Sequence, residues 1–293
     1  MKKITDRVKE GKILVSDGAW GTFLHAKGLK PGECPELWNI EHPEEVYDIA
    51  KSYIDAGSDM VETNSFGGSS FKLVHYGLAD RVSELNQAAA VISRRAAGNK
   101  FVLGSVGPTG KILMMGDVTA EEIYESFKQQ VIALEKGGVD AIIIETFTDI
   151  DEARLAIRAA KENTVVEVIC TMTFDKTVDG QYRSMMGVSP TEMMQELVPE
   201  GVDIIGANCG NGIEGMIQIV KEIRRCNTTI PVLIHANAGS PIYDNGKTVF
   251  PETPLQTAGF VKAIIESGVN IIGGCCGTTP EHIRQIAHVA RQV

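Results

Sequence analysis

The sequence lacks any long apolar run and has few cysteines. No window approaches the ~18 uninterrupted apolar residues of a membrane-spanning helix, and the charged start has no apolar stretch of signal-peptide length. Six irregularly spaced cysteines in 293 residues do not indicate a disulfide framework, and a chain of this length can bury a full core without one. We therefore expect a reduced, cytoplasmic protein without a membrane partner.

Basic charge is also scarce. The chain has 28 basic and 38 acidic residues and a net charge of −10, which repels phosphate backbones and provides no basic surface for nucleic acid. The phosphate-loop spacing is absent, and the glycine-rich segment GSVGPTG (residues 104–110) does not match the dinucleotide-binding fingerprint. We expect a small molecule or a protein as the partner, and no nucleic acid.

What the sequence does contain is a regular alternation of short apolar runs and helix-like segments. The runs are rich in β-branched residues and are bounded by glycines, and their length favours strands buried on both faces over buried helices. The eight runs are residues 13–18, 60–65, 101–108, 141–147, 168–174, 204–210, 232–239 and 271–277.

Eight helix-like segments lie between and after these runs. Several end on glycine, a common signal for the C-terminus of a helix. Thr119 with Glu122, and Ser189 with Glu192, have the spacing of a capping box at a helix start. The segments are residues 43–57, 82–98, 119–138, 149–163, 189–201, 212–225, 254–268 and 279–292.

Eight strands alternating with eight helices predict a single (β/α)8 barrel, or TIM barrel, formed by residues 1–293 as one domain. A doubly wound parallel sheet is the alternative, and the missing dinucleotide fingerprint weakens it. Active sites of such barrels lie at the C-terminal ends of the strands. The polar residues predicted there are Asp17, Glu62, Asn64, Glu145, Cys209, His235, Asn237, Cys275 and Cys276.

Three of the six cysteines fall at these strand ends. Cys209 ends the sixth run, and Cys275 and Cys276 end the eighth, so the three thiols could converge above the barrel and bind a metal. A disulfide between the adjacent pair is disfavoured, because neighbouring cysteines do not easily reach disulfide geometry. The other three cysteines, Cys34, Cys170 and Cys226, are interpreted as packing residues.

The number of thiols bears on the type of metal site. Structural zinc usually has four protein ligands, whereas three leave an open position, which is typical of catalytic zinc. Three thiolates make bound water a poorer acid but favour a soft thiol as the fourth ligand. A thiol held there stays a nucleophilic thiolate at neutral pH. The pattern therefore favours alkyl transfer to a thiol over hydrolysis.

A set of motifs in chain order resembles one known family. The chain is similar to the homocysteine-binding methyltransferases, and most similar to the homocysteine-binding module of cobalamin-dependent methionine synthases. The likeness covers about residues 10 to 292. The motifs are SDGAWGT (16–22), VETNSFG (61–67), GPTG (107–110), ETFTD (145–149), NCG (208–210), NAGSPI (237–242), NGKTVFP (245–251) and GGCCGTTPEH (273–282).

The resemblance implies zinc-dependent methylation of L-homocysteine to methionine in a (β/α)8 barrel, with Cys209, Cys275 and Cys276 as the catalytic zinc ligands. It also implies that the side-chain oxygen of Asn237 occupies the fourth zinc position until the substrate sulfur displaces it. Without the resemblance, the alternative interpretation of Asn237 is a turn residue before Ala238 and Gly239.

The resemblance also implies a set of substrate contacts. Asp17 and Glu145 are expected at the ammonium group, and the loop amides of Gly18, Ala19, Trp20 and Gly107 near the carboxylate. Anionic partners for an ammonium and amide donors for a carboxylate are what a zwitterionic amino acid requires in a water-excluded site.

The chain departs from the family pattern before the asparagine, where Ala236 replaces the common proline and His235 precedes it. His235 is interpreted either as support for the zinc site or, more simply, as a packed histidine. Trp20 replaces a smaller apolar residue of the family motif. Glu62 and Asn64 are interpreted as supporting residues of the barrel rim.

The methyl donor is expected to come from elsewhere, because no corrinoid-binding motif is present in the chain. The likeness to methionine synthases suggests a methylated corrinoid protein, with methylcobalamin bound to that partner. S-methylmethionine and betaine, which other family members use, are the alternatives. A non-catalytic sensor of zinc or homocysteine is a further alternative.

Overall fold

The computed structural model of the protein describes residues 3–244 and 247–293, so Asn245 and Gly246 of the NGKTVFP motif lie outside the described residues. Eight parallel strands form a nearly closed barrel. They are β1 (Leu14–Val15), β2 (Met60–Glu62), β3 (Phe101–Val106), β4 (Ala141–Phe147), β5 (Glu167–Met172), β6 (Ile204–Gly212), β7 (Val232–Asn237) and β8 (Ile271–Gly274).

One helix of the outer ring follows each strand. Thr119 and Ser189 form the predicted capping boxes at the starts of α3 and α5, and Thr253 forms another at the start of α7. The ring helices are α1 (Pro43–Asp55), α2 (Val82–Ala97), α3 (Ala120–Gly137), α4 (Ile150–Asn163), α5 (Pro190–Leu197), α6 (Ile213–Cys226), α7 (Pro254–Glu266) and α8 (Pro280–Ala290).

The strands pair in the order β1-β8-β7-β6-β5-β4-β3-β2, and neighbouring strands are parallel throughout. Asp59 joins the two end strands. Its amide donates to the Val15 carbonyl at 2.6 Å, and its carboxylate accepts from the Val15 amide at 3.0 Å. The barrel is therefore nearly closed, which confirms the predicted (β/α)8 fold. Separately, no described helix is long and apolar enough to span a membrane.

Apolar side chains fill the N-terminal half of the barrel interior, and a short helix, Ile4–Lys9, packs there as well. Ile4 is fully buried, and its amide donates to the buried carboxylate of Glu167 on β5 at 2.6 Å. The interior cluster consists of Ile4, Leu14, Met60, Leu103, Ala141, Ile143, Ile169, Ile204, Leu233 and Ile271. The C-terminal half of the interior is left for polar residues.

The remaining elements lie mainly in the loops that follow the strands. Two antiparallel hairpins pair Asp175–Lys176 with Tyr182–Arg183 and Ile242–Asp244 with Lys247–Val249. Short helices are Gly21–Lys27, Trp38–Glu41 and Ser70–Leu73, and single 3-10 turns are Pro35–Leu37, Val74–Tyr76, Ala79–Arg81, Leu113–Met115 and Val198–Glu200. Because these loops follow strand ends, they surround the C-terminal face of the barrel.

Candidate metal centre and active site

The three predicted cysteines converge at the C-terminal face. Cys209 lies near the end of β6, and Cys275 and Cys276 directly follow β8. Their sulfur atoms all lie within 4.8 Å of one another. The backbone holds the pair in place, since the Cys275 amide donates to the Ala236 carbonyl at 2.6 Å and the Ala238 amide donates to the Cys276 carbonyl at 3.0 Å. Two neighbouring strands, β7 and β8, thus fix two of the three thiols.

Hydrogen bonds among the three thiols shift their pKa values in opposite directions. Hydrogen bonds from Cys275 and then Cys276 lower the pKa of Cys209 to about 3. The same contact with Cys209 raises the pKa of Cys276 to about 12 and raises the pKa of Cys275 well above its ordinary value. The Cys209 sulfur therefore accepts hydrogen bonds from the other two thiols, and a divalent cation that takes the place of their protons would satisfy all three sulfurs.

Asn237 completes the set of possible metal ligands. It ends β7 and is buried, and its Oδ1 atom has no hydrogen-bond partner among the described residues. Its side chain hydrogen-bonds to Cys209, which helps to lower the pKa of that thiol. An orphaned buried oxygen costs ~1–3 kcal/mol, and a cation beside it would remove that cost. Three soft sulfurs and one neutral oxygen fit a zinc ion.

A cavity of about 280 Å³ adjoins the three cysteines. Buried polar residues of the barrel interior, Glu62, Glu145 and His235, form one part of its wall. The more exposed aromatic residues Trp20 and Phe66 form another part. A cavity of this size, with an apolar side and a cluster of titratable groups, fits a small ligand of amino-acid size.

Glu145 lies on this wall near the end of β4. It accepts hydrogen bonds from the Ser105 hydroxyl and, at 3.3 Å, from the Asn208 amide group. Burial, and secondly the charge of Glu62, raise the pKa of Glu145 well above its ordinary value. A buried carboxylate with raised pKa needs a positive partner to ionise fully, which agrees with the prediction of an ammonium group beside it.

Asp17, the second carboxylate predicted to contact the ammonium, is buried one layer behind the wall. It accepts from the Glu62 amide at 2.8 Å, the Trp20 indole at 2.9 Å and the Ser16 hydroxyl at 3.1 Å. Burial raises its pKa, and the nearby His235 lowers it. Protein donors therefore already occupy much of the acceptor capacity of this carboxylate.

The glycine-rich loop after β1 borders the cavity, with Gly18, Ala19 and Trp20 on its wall. The Ala19 amide, however, donates to the Thr278 hydroxyl at 3.0 Å. A side chain at position 18 would lie 2.8 Å from both Thr278 and Tyr53, so only glycine fits there. The loop is thus packed tightly against the C-terminal face.

Gly107, predicted near the substrate carboxylate, is not on the wall of this cavity in the described part of the chain. Its amide donates to the Phe66 carbonyl at 2.9 Å, and a β-carbon there would lie 2.6 Å from the Phe66 ring. The structure therefore places Gly107 behind Phe66, which itself forms the wall.

Several residues near the site were not predicted, among them Glu36 and Asn208. Glu36 lies in the loop after β1 and borders the cavity, where its carboxylate accepts from the Gly67 amide at 2.7 Å. No sequence signal marked it, because it is distant from any strand end. Asn208 donates to the Thr146 hydroxyl at 2.7 Å and accepts from the Thr171 hydroxyl at 2.8 Å. Its place in the NCG motif could have indicated a role.

The other three cysteines do not join this cluster. Cys34 and Cys170 are buried, and burial raises the pKa of each thiol to about 12. Cys226 is exposed at the end of α6. Cys34 and Cys170 are therefore packing residues as predicted, whereas the interpretation of Cys226 as a packing residue was wrong, because its side chain is exposed.

Fold and site together define a (β/α)8 barrel with a three-cysteine centre beside a small buried cavity. A family model described as homocysteine S-methyltransferase matches residues 14–290. The chain therefore belongs to the homocysteine S-methyltransferase family, whose members are methyltransferases acting on homocysteine, as the sequence motifs predicted.

The chain is similar to two curated methionine synthases. It is 32% identical over 295 residues to that of Mycobacterium tuberculosis and 30% identical over 295 residues to that of Mycobacterium leprae. In both comparisons 94% of this chain but 24% of the relative is covered. The chain thus spans about a quarter of the length of these relatives.

Among solved structures, the fold is similar to that of the homocysteine methyltransferase MmuM from Escherichia coli. The metallated form is 21% identical, with a TM-score of 0.78 and 98% of each chain covered. The oxidized form is 23% identical, with a TM-score of 0.77 and coverage of 96% of this chain and 98% of the other. These likenesses support the fold.

Proposed function

We propose that this chain transfers a methyl group to the sulfur of L-homocysteine and so produces methionine. In this proposal residues 1–293 act as one homocysteine-binding barrel domain, and Cys209, Cys275 and Cys276 hold a catalytic zinc ion with Asn237 at the fourth position. The main support is the convergence of three sulfur atoms within 4.8 Å beside a cavity with buried carboxylates.

Bound to these residues, zinc would supply the Lewis acidity that keeps a substrate thiol in its thiolate form at neutral pH. The chain's own residues set the conditions for this chemistry. The three cysteines place negative charge at one side of the cavity, and Asn237 offers a neutral oxygen that a substrate sulfur can replace. The apolar side of the wall keeps water from the reacting sulfur.

The ends of the amino acid are bound by separate groups in this proposal. Asp17 and Glu145 belong to a buried cluster of carboxylates, no lysine or arginine is buried among the described residues, and an ammonium group would supply a cation. Because Ala19 already donates to Thr278, we assign the carboxylate to the amides of Gly18 and Trp20. Gly107 would act more indirectly, by holding Phe66 in place.

We further propose a methylated corrinoid protein as the methyl donor, so that methylcobalamin remains on the partner. Two observations support this choice over S-methylmethionine or betaine. The similar curated proteins are methionine synthases, and large apolar side chains such as Met114, Met185 and Tyr243 are exposed in loops of the C-terminal face.

The described cysteines are all free, which supports action in a reducing compartment such as the cytoplasm.

A turnover experiment tests the proposal. Zinc-loaded protein is incubated with homocysteine and one methyl donor at a time: a methylated corrinoid protein, S-methylmethionine or betaine. Methionine is measured by mass spectrometry. We expect methionine with the corrinoid protein. Homocysteine binding without methionine from any donor would instead indicate a sensor.

The same experiment tests the metal ligands when it includes cysteine variants. Cys209→Ser should lose both zinc, measured by metal analysis, and turnover, because two thiolates hold the ion less well than three. Cys226→Ser is the matched control and should retain both, since that thiol is exposed on α6. Zinc retained in Cys209→Ser would contradict the ligand assignment.

A further inference from the structure

One carboxylate on the cavity wall has no assigned role. Glu62 ends β2 and is 7% exposed. Its Oε1 atom is buried and has no hydrogen-bond partner among the described residues. The backbone amide of Glu62 is held by Asp17 at 2.8 Å, so the residue is fixed in place while its carboxylate faces the cavity unsatisfied. Such a group requires an explanation, because buried polar atoms are normally paired.

His235 is the positively ionisable side chain next to this carboxylate. It is 1% exposed on β7, and its Nδ1 atom lies 3.3 Å from Glu62 Oε1 without the alignment of a hydrogen bond. Its other ring nitrogen, Nε2, has no partner in the described part of the chain. The imidazole therefore packs against the Glu62 carboxylate and leaves acceptor capacity on it.

Glu145 is the other carboxylate of the barrel interior on this wall. Its two oxygens already receive the Ser105 hydroxyl and the Asn208 amide group. Asp17 lies behind the wall and accepts three protein donors. Of these three carboxylates, Glu62 thus has the greatest unused capacity to accept a hydrogen bond from a ligand.

We propose that Glu62 is a further residue that contacts the ammonium group of the substrate, together with Glu145, and that it selects an amino-acid thiol, with His235 and Asp17 as positioning residues. An ammonium group has three donors and one positive charge. It can therefore donate a hydrogen bond to Glu62 Oε1 and is also attracted by the negative charge of the Glu145 carboxylate. Asp17 acts through Glu62, whose amide it binds, and through the Trp20 indole. The assignment rests on the proposed function, since it deepens the substrate specificity of the same cavity.

The test compares two thiols of equal length that differ only in the amino group, homocysteine and 4-mercaptobutanoate. Their dissociation constants are measured by calorimetry with zinc-loaded wild type and Glu62→Gln. We expect Glu62→Gln to weaken homocysteine binding by about 10- to 100-fold, as for the loss of a charge-assisted hydrogen bond. Binding of 4-mercaptobutanoate should change by less than about 2-fold, because it has no ammonium group to lose.

Two further variants separate contact from support. Glu167→Gln alters a buried barrel carboxylate at the opposite end, where Glu167 binds the Ile4 amide, and should leave both dissociation constants unchanged. His235→Gln retains a donor that can face Glu62, so it should bind homocysteine more tightly than His235→Ala does. Zinc content is measured in every variant.

The outcomes distinguish this inference from the proposed function. If Glu62→Gln binds homocysteine as tightly as wild type, or loses both thiols equally, the role of Glu62 is overturned while wild-type turnover still supports the methyltransferase. If wild type binds 4-mercaptobutanoate as tightly as homocysteine, the cavity has no ammonium site. The role of Glu62 and the role of the cluster with Asp17 and Glu145 are then both wrong. If wild type binds neither thiol, the proposed function itself is wrong.

Discussion

At the scale of single residues, the site contains strained backbone. Thr146 and Cys209 have φ angles of 64° and 59°, in the left-handed region, and among the described residues no other non-glycine has a positive φ. Each such conformation costs roughly 1–3 kcal/mol. Asn208 links them, because it directly precedes Cys209 and its Oδ1 accepts from the Thr146 amide at 2.8 Å. The strain is therefore located where the Cys209 sulfur and Glu145 must point into one cavity.

Glu145 leads to a prediction about stability and pH. Burial raises its pKa well above the ordinary value of 4.5, so the residue stabilises the folded state fully below that value and loses this contribution as the pH rises through the raised pKa. Relative to wild type, Glu145→Gln should thus gain stability from about pH 4.5 upward. The gain should be roughly 1.4 kcal/mol for each unit of pKa shift, as measured by urea unfolding between pH 4 and 8 at equal zinc content.

Glu281→Gln is the control for this measurement. Glu281 lies in the first turn of α8, and hydrogen bonds from Gln285 and Arg284 lower its pKa. The sign is therefore opposite, and its stability contribution is lost only as the pH falls below 4.5. A flat difference between wild type and Glu145→Gln from pH 4.5 to 8 would show that Glu145 is not held at a raised pKa.

The sequence predicted the three cysteines because each lies at a strand end, where the barrel fold determines the direction of the chain. It did not predict the pairing of Glu62 with His235, which are 3.3 Å apart yet come from β2 and β7. These strands are not neighbours in the sheet. Contacts across a barrel depend on the tilt and stagger of all eight strands, and no local pattern encodes them.

At the scale of elements, the alternation of apolar runs and helices predicted every barrel strand and ring helix. Several capping signals made the helix starts clear, as at Thr119 and Ser189. The helix Ile4–Lys9 was missed, because it has six residues and depends on Glu167 to bind its first amides. The hairpins in the loops were missed for a similar reason, since two- and three-residue strands have no periodicity to detect.

Close contact between β6 and β7 provides a stability prediction. Gly206 pairs with Leu233, and a β-carbon at position 206 would lie 1.7 Å from the Leu233 carbonyl oxygen. That oxygen belongs to the backbone and can move only with the strand. We expect Gly206→Ala to destabilise the protein by about 3 kcal/mol or more, as overpacking in a rigid core does, measured by urea unfolding.

Gly259 is the matched glycine for comparison. It lies inside α7, and a β-carbon there would meet no atom within 4 Å. Gly259→Ala should therefore stabilise the protein by ~0.5–1 kcal/mol, because alanine has the higher helix propensity. Equal effects of the two exchanges would mean that the β6–β7 contact is looser than the structure shows.

At the scale of the whole molecule, exposed apolar side chains are distributed unevenly. Most of the large ones lie in loops that follow strands and so surround the C-terminal face, including Met114 at 86% and Tyr243 at 81% exposure. Val165, at 92%, lies between α4 and β5 on the opposite face. Exposed methionines and aromatics gathered on one face are typical of a surface that binds another protein, which agrees with the proposed protein-bound methyl donor.

This distribution leads to a prediction about the donor. The double exchange Met114→Ser with Met185→Ser should raise the KM for a methylated corrinoid protein by about 10-fold, the loss expected for ~1.4 kcal/mol of apolar contact. Turnover with free methylcobalamin should not change, because a small donor needs no docking surface. Val165→Ser is the matched exchange on the opposite face and should leave both rates as in wild type. A KM unchanged by the double exchange would exclude these loops as the docking surface. An equal loss of turnover with both donors would instead indicate that the two methionines contribute to the reaction in the cavity.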